Sequence, residues 1–548
     1  MCKYSNFSIQ ITSKYHSCDE NRGVNPENSN EISKAQTNTH IEGIKTHAEG
    51  LASHAEGSHT KARGVASHTE GAYTETTGTA SHAEGSHTKA EGIASHAEGV
   101  NTTSWANYSH VEGANTLAKG TASHAEGNNT VSYGENSHAE GHYTTTGHAD
   151  DPSQGNSSHA EGSHTKAEGI ASHAEGSHTK AEGIASHAEG TNTLAKETAS
   201  HAEGSHTKAE GIASHAEGTN TLAKETASHA EGSHTKAEGV ASHAEGHFTI
   251  AYGGNAHAEG HFTIAYGENA HAEGHFTTAY GESAHTEGFY TMAQGKAAHA
   301  EGAHTVAKGN FSHAEGVNTQ TIGDFSHAEG IGNSAGFKGT HIMGKYGDTQ
   351  ESYSWFIGNG VSPDNKELGA KWLASTRNMY IDGSTYFSNG TGYAEMFEVK
   401  NKSIDIGYFV TFDGEYVRKA TAQDEYILGI TTDTSSILGN SAEMRWKEKY
   451  VVDEWGRLQF DNINCSGIIE KSAILNPDWD SEKKYISRFE RSEWVIVGLL
   501  GQIRVRDDGT CPVGGYCFPN TEGIATRSQK GYRVIKRINP NQILIMFN

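Results

Sequence analysis

The sequence predicts an all-β protein, a β-roll solenoid of fourteen-residue coils followed by a mostly antiparallel β domain. Three observations carry this reading. First, the phrase Ser-His-Ala-Glu-Gly, or a close variant, returns every fourteen residues. Its histidines fall at His54, His68, His82, His96, His110, His124 and His138, resume in step from His159 to His327, and end in a degraded copy at His341. A short fixed period marks a solenoid with one coil per repeat, and fourteen residues are too few for a helical hairpin but suit two short strands and two turns. Second, the residues that alternate onto one side are Ser, Ala and Thr, which fill only a very thin interior. Third, the composition changes abruptly. All 36 histidines precede residue 342, whereas six of the 7 tryptophans follow residue 350.

Taken in order, residues 1–38 carry no repeat and have a polar, turn-rich centre, as suits an attachment segment or a disordered arm. The roll is assigned to residues 39–344 and opens with two half-length steps, His40 to His47 to His54. In ASHAEGSHTKAEGI the first strand reads Ser-His-Ala-Glu-Gly and the second Thr-Lys-Ala-Glu-Gly. A glycine after each strand permits a sharp turn. An insertion around HADDPSQGN, between His138 and His159, is expected to loop out, since Pro152 and Gly155 favour turns. Residues 345–391 read as a neck, with turn signals at Gly358-Asn359-Gly360 and Asp382-Gly383. From 392 to 548, GYFVTFDGE, EYILGITTD, WVIVGLL, IRVRDDGT, YRVIKR and ILIMF read as strands, with hairpin turns at Asp413-Gly414 and Asp508-Gly509.

Comparison of the repeats with one another separates solvent from interface. The outward slots of the second strand vary freely, while the outward His and Glu of the first strand hardly change. Recent duplication explains the identical blocks between His173 and His243, but not the persistence of His and Glu around Trp105, Tyr290 and Phe311. The unchanging face therefore reads as a packed interface, with His54, Glu56, His124, Glu126, His215, Glu217, His271, Glu273, His313 and Glu315 as representative members. With 34% hydrophobic residues, 65 glycines and a net charge of −25, a lone chain buries little apolar area, and oligomerisation is the natural remedy. The acidity disfavours a nucleic-acid partner. No run of eighteen apolar residues and no signal peptide is visible, so no membrane span is expected. The 5 cysteines, Cys2, Cys18, Cys465, Cys511 and Cys517, are odd in number and suggest assembly in a reducing compartment. Metal in every layer of a His-x-Glu ladder would stack cations that repel one another, so none is expected, nor any cofactor, and no phosphate-binding loop is present. A Ser-His-Glu triad is not credible within one strand, where neighbours point in fixed, divergent directions.

Over about residues 39–344 the pattern S-x-A-x-G-x-x-T-x-A-x-G resembles the head repeats of trimeric autotransporter adhesins. The resemblance implies a left-handed parallel β-roll assembled as a homotrimer, with outward first-strand residues packed around the threefold axis. Those slots are aliphatic in that family and hold His and Glu here, so the axis is expected to carry His and Glu in alternation. Without export or anchoring signals, the chain is not expected to be an autotransporter itself.

The segments YAEMFE, GYFVTFDGEYVRKA, DEYILGI, WKEKYVVDEWGR, RDDGTCPVGGYC and EGIATRSQKGYRVIKR, within residues 393–548, are similar to the autoproteolytic intramolecular-chaperone domain of Bacillus phage tail appendages. That resemblance implies a glutamic-peptidase domain that trimerises a β-structured fibre and then cuts itself free, just before an Asp-Tyr-Ala-Glu motif. The matching residues are Gly392-Tyr393-Ala394-Glu395. Glu395 is thus the candidate catalytic carboxylate and Thr391–Gly392 the candidate scissile junction, but Gly392 stands in the Asp slot. Cleavage by carboxyl groups uses one to activate the attacking group and one to protonate the leaving group. Glu395 fills one role. Asp413 or Asp453 of a neighbouring subunit would supply the other, with water or Thr391 as nucleophile. Otherwise Glu395 is structural and the domain is only a trimerisation clamp. If the chain is uncut, Gly392→Asp is expected to revive cleavage.

These resemblances imply a homotrimeric tail fibre or spike of a phage or prophage, whose only enzymatic activity is at most self-cleavage. It would be made in the bacterial cytoplasm and carried on the virion, joined at one end to a baseplate or tail protein and reaching a host-surface glycan or receptor. The alternatives are a bacterial surface or spore-appendage adhesin, a glycan-degrading spike, which needs carboxylates clustered in a groove, and an ice-binding solenoid, which wants a flat Thr array where Thr here points inward.

Overall fold

Each coil closes because it is built from two seven-residue halves, each opened by a residue in the left-handed backbone region. Ala52, His59, Ala66 and Tyr73 begin this series, at φ 58°, 62°, 55° and 60°. The computed structural model describes residues 38–548 apart from 152, 383–387, 401–402, 444 and 466–467, so the attachment segment read at 1–38 lies, but for Asn38, outside the described residues, as does Gly383. After each corner a buried Ser or Thr (Ser53, Thr60) and a buried Ala (Ala55, Ala62) point inward, while His54, Glu56, Lys61 and Arg63 point out. The serine has a local task. Ser214 Oγ, for example, donates to the carbonyl oxygen of Gly211 at 2.7 Å and pins the corner.

Successive coils pair parallel and in register, His215 on His229, Ala216 on Ala230 and Glu217 on Glu231. The coils sit so closely that the strand glycine has no alternative. At Gly218, φ +112°, an added Cβ would stand 2.0 Å from the carbonyl oxygen of Gly232. The half-coil logic also explains the opening of the roll. His40 pairs with His54 in the first-strand sheet, whereas His47 pairs with Lys61 in the second. The two half-length steps are therefore one complete coil whose halves both carry histidine. The insertion leaves the ladder intact, since His138 still pairs with His159 and Thr145 with Lys166. Past the last histidine, Trp355–Asn359 adds one more rung on His341–Lys345, with Phe356 in the alanine slot, and Leu368–Trp372 folds back antiparallel on it.

The chain divides into two compact units, Met1–Trp372 and Leu373–Asn548. In the second unit the strands are β1 (Tyr393–Glu398), β2 (Phe409–Asp413), β3 (Tyr416–Lys419), β4 (Gly429–Thr431), β5 (Ile437–Gly439), β6 (Phe460–Cys465), β7 (Ile468–Ala473), β8 (Trp494–Arg506), β9 (Tyr516–Pro519), β10 (Ala525–Ser528), β11 (Tyr532–Asn539) and β12 (Gln542–Phe547). Ten of them form one sheet in the order β3-β2-β4-β8-β12-β11-β9-β10, with β1 on β8 and β5 on β1, while β6 and β7 form a separate hairpin. The β1–β5 pair is parallel and the other pairs are antiparallel. Phe409, Ile430, Ile503, Val505, Val534, Ile543 and Ile545 fill the core beside the free thiols Cys511 and Cys517.

Two details differ from the sequence reading. WVIVGLL and IRVRDDGT are one continuous strand, β8, because Gly498 and Gly501 are absorbed within it. Asp413-Gly414 does turn the β2–β3 hairpin, but Asp508-Gly509 joins no paired strands, since β8 pairs with β12 rather than β9. Among the described residues there is no α-helix, only two single-turn 3-10 segments, and no helix long and apolar enough to cross a membrane.

Candidate functional site

On the roll, in-register pairing makes a column of imidazoles. The rings of His201 and His215 stack at 4.6 Å and 4°, those of His124 and His138 at 4.6 Å and 6°, and those of His271 and His285 at 4.8 Å and 5°. His54 stacks on His68 and His313 on His327 in the same way. The expected alternation of His and Glu along the axis is not what the chain forms. Identical residues pair in register, so His lies over His, and alternation occurs only across each strand.

Many of the imidazoles have their own strand's glutamate nearby but not in hydrogen-bond range. Nε2 lies 3.8 Å from the carboxylate for His54–Glu56, 3.6 Å for His124–Glu126 and 3.7 Å for His215–Glu217. Near the end of the roll the pairing shifts back one coil, and His313 Nε2 reaches Glu301 at 2.9 Å. The Nε2 atoms of His54, His124, His215 and His271 are covered by their own chain yet make no hydrogen bond with any described residue. Burial, and next the neighbouring imidazoles, push His124 and His299 down to about 4, and lower His54, His82, His243 and His271 in the same direction. His124 and His299 are therefore neutral at pH 7. Groups such as His124, Glu126 and His138 bring three ligand-type atoms within 4.8 Å. Stacked rings, however, hold their lone pairs in parallel planes, so two such imidazoles do not converge on one cation at the ~2.0–2.1 Å that zinc requires.

In the second unit, the candidate junction is held on both sides. Thr391 Oγ1 donates to the Gln502 carbonyl oxygen at 2.8 Å, and Thr391 N–H donates to the Thr434 carbonyl oxygen at 2.9 Å. The Gly392 carbonyl oxygen accepts from Ser436 N–H at 3.0 Å. Gly392 itself lies at φ +74°, and a Cβ there would stand 2.1 Å from the Leu500 carbonyl oxygen. The aspartate of the appendage motif does not fit this backbone, and the expectation that Gly392→Asp revives cleavage meets that obstacle.

Glu395 lies on β1 opposite Val497 of β8 and Gly439 of β5. Its carboxylate Oε1 accepts a hydrogen bond from the Tyr393 hydroxyl. That bond, chiefly, raises the phenol above its usual value of 10.0. A Cβ on Gly439 would stand 2.7 Å from the Tyr393 hydroxyl and 3.0 Å from Glu395 Cγ. The motif contains Tyr393 as well as Glu395, but Gly439 carries no sequence signal for this role. Of the two further carboxylates, Asp413 is exposed at the β2–β3 hairpin. Asp453 is committed to its own turn, accepting from Trp455 N–H at 2.9 Å, Arg457 N–H at 2.8 Å and the Arg457 guanidinium at 2.7 Å.

Comparison with known proteins bears on this same region. The C-terminal part of the chain matches Peptidase_G2, the IMC autoproteolytic cleavage domain. The match runs over residues 347–542 and so begins upstream of Tyr393 and includes the whole junction. The chain also resembles phage proteins over part of its length. The pre-neck appendage protein of Bacillus phage B103 is 33% identical over 193 residues, 35% of this chain and 21% of that protein. The pre-neck appendage protein of Bacillus phage phi29 is 31% identical over 176 residues, 32% of this chain and 20% of that one. The chain thus spans about a fifth of the length of these relatives. A crystal structure of the C-terminal fragment of phi29 gene product 12 is 29% identical, covering 28% of this chain and 99% of that one, at a TM-score of 0.26.

Proposed function

We propose that the chain is a structural subunit of a phage appendage, in which the β-roll is a shaft and the Peptidase_G2 region a chaperone that cuts itself free. The match over residues 347–542 to the IMC autoproteolytic cleavage domain, beside relatives named as appendage proteins, is the observation that carries it. The shaft works as a parallel homotrimer around the His–Glu face. A coil that buries only Ser, Thr and Ala gains little from its own core, on the order of 0.8 kcal/mol per methyl-sized group. The His and Glu side chains of that face stay partly exposed on a single chain, as at His215 and Glu217, and offer the surface on which neighbouring subunits pack. One end of the trimer is fixed to a tail or baseplate protein and the other meets a host-surface glycan or receptor, on the virion.

Self-cleavage is hydrolysis of the Thr391–Gly392 bond. The oxygen of a water molecule bonds to the Thr391 carbonyl carbon, the C–N bond breaks, and a proton passes to the Gly392 nitrogen, leaving a carboxylate and an amine. Glu395 takes the proton from the water and Asp413 of a neighbouring subunit serves the leaving amine. The Thr391 hydroxyl is a poor nucleophile here, because attack on its own residue's carbonyl would close a four-membered ring. The test is the intact mass of the full chain after expression. The expected products are residues 1–391 and 392–548, with Glu395→Ala remaining at 58.6 kDa. Wild-type chain that stays uncut would contradict self-cleavage and leave the region as a clamp.

A further inference from the structure

We infer that Tyr393 and Gly439 are positioning residues for Glu395, the tyrosine hydroxyl gripping the carboxylate and the missing side chain at 439 making room for the pair. This rests on the self-cleavage reading above and adds to it the parts that aim the carboxylate.

Strand alternation places Tyr393 and Glu395 on one face of β1, while Ala394 and Met396 point into the core on the other. Two residues apart on a strand, the side chains run alongside each other, and the hydroxyl donates to Oε1. That leaves Oε2 free to receive a proton. The phenol keeps its own proton at neutral pH, because the neighbouring carboxylate raises it. It is therefore a fixed donor at the pH at which the protein is made. Across the sheet, β5 runs parallel to β1 with Gly439 directly opposite Glu395. Gly439 is not among the residues in the left-handed region, so its backbone does not demand glycine. The space does. An alanine methyl would meet the Tyr393 hydroxyl at 2.7 Å, Glu395 Cγ at 3.0 Å and Oε1 at 3.4 Å. Two side chains and an absent third thus fix one carboxylate three residues beyond Gly392, the first residue after the candidate cut.

The test uses the full chain and follows the rate at which the 392–548 fragment appears. Tyr393→Phe is expected to slow release about ten- to a hundredfold, the effect of a misplaced catalytic group. Gly439→Ala is expected to slow it comparably, and the double variant no more than either alone, since both act through the same hydrogen bond. Site-specific 3-fluorotyrosine at 393, which keeps the hydroxyl, is expected to restore the rate. A merely structural tyrosine would not show that rescue. If Tyr393→Phe cuts at the wild-type rate, the inference falls while self-cleavage stands. Should the Phe chain not fold, a folded Gly439→Ala chain cutting at the wild-type rate overturns it equally. A wild type that never cuts overturns both.

Discussion

At Gly392 the backbone leaves no room for the aspartate that the appendage motif carries. With φ at +74° and the Leu500 carbonyl oxygen 2.1 Å from any Cβ, Gly392→Asp is expected to lower the stability of the second unit by roughly 1–3 kcal/mol. Its thermal melt should show this, without any gain in cleavage. Recovery of cleavage with an unshifted melt would mean that the junction adopts another conformation in the assembled protein. On the roll, Glu217→Ala with His215 retained should lower the melting temperature more than the double replacement of both, because in the proposed trimer Glu217 meets imidazoles of the neighbouring subunits, and removing one side of that contact strands the other. Equal melts for the two variants would place that face in solvent. The motif made Glu395 and the Gly392 departure legible in the sequence. Tyr393 stands in the same motif, two residues before Glu395 on one strand, whereas Gly439 was not legible as a partner, because its approach depends on a parallel β1–β5 pairing between strands far apart in the chain.

Each fourteen-residue coil, with its inward Ser, Ala and Thr, could be read directly from the sequence, because one repeat is one element and the copies confirm one another. What the copies could not show is the consequence of register. Identical residues in parallel register stack on themselves, giving columns of His over His. That changes the expected response to acid. His124 and His299 fall from 6.5 to about 4 in the folded chain. Between those values the unfolded chain binds more protons than the folded one, so stability is complete above about pH 6.5 and is lost as the pH falls towards 4. A melt of the roll should therefore weaken already between pH 6.5 and 4, through protonation of these histidines. A flat profile across that range would contradict a buried imidazole column. The strand glycine supplies a second check. Gly218→Ala, whose methyl would meet the Gly232 carbonyl oxygen at 2.0 Å, should break the ladder locally and lower the melting temperature. In the second unit the elements were less legible. β8 runs through two glycines that sequence patterning treats as a break, and Asp508-Gly509 has hairpin chemistry without a paired strand beyond it.

At the scale of the whole molecule, the sequence implies an oligomer by what it lacks, since a coil filled with alanine and hydroxyl groups offers little apolar area, and the roll retains a half-exposed face that hardly varies over more than twenty copies. Trimerisation and cleavage are linked in the proposed function, because the second carboxyl comes from a neighbouring subunit. Native mass spectrometry of the purified full-length product reads both at once. The expected result is three copies of residues 1–391 in one assembly, with the 392–548 fragment released or still associated, and an intact trimer of full-length chains for Glu395→Ala. A monomer of uncut 58.6 kDa chain with a folded C-terminal unit would contradict the trimeric, self-processing shaft.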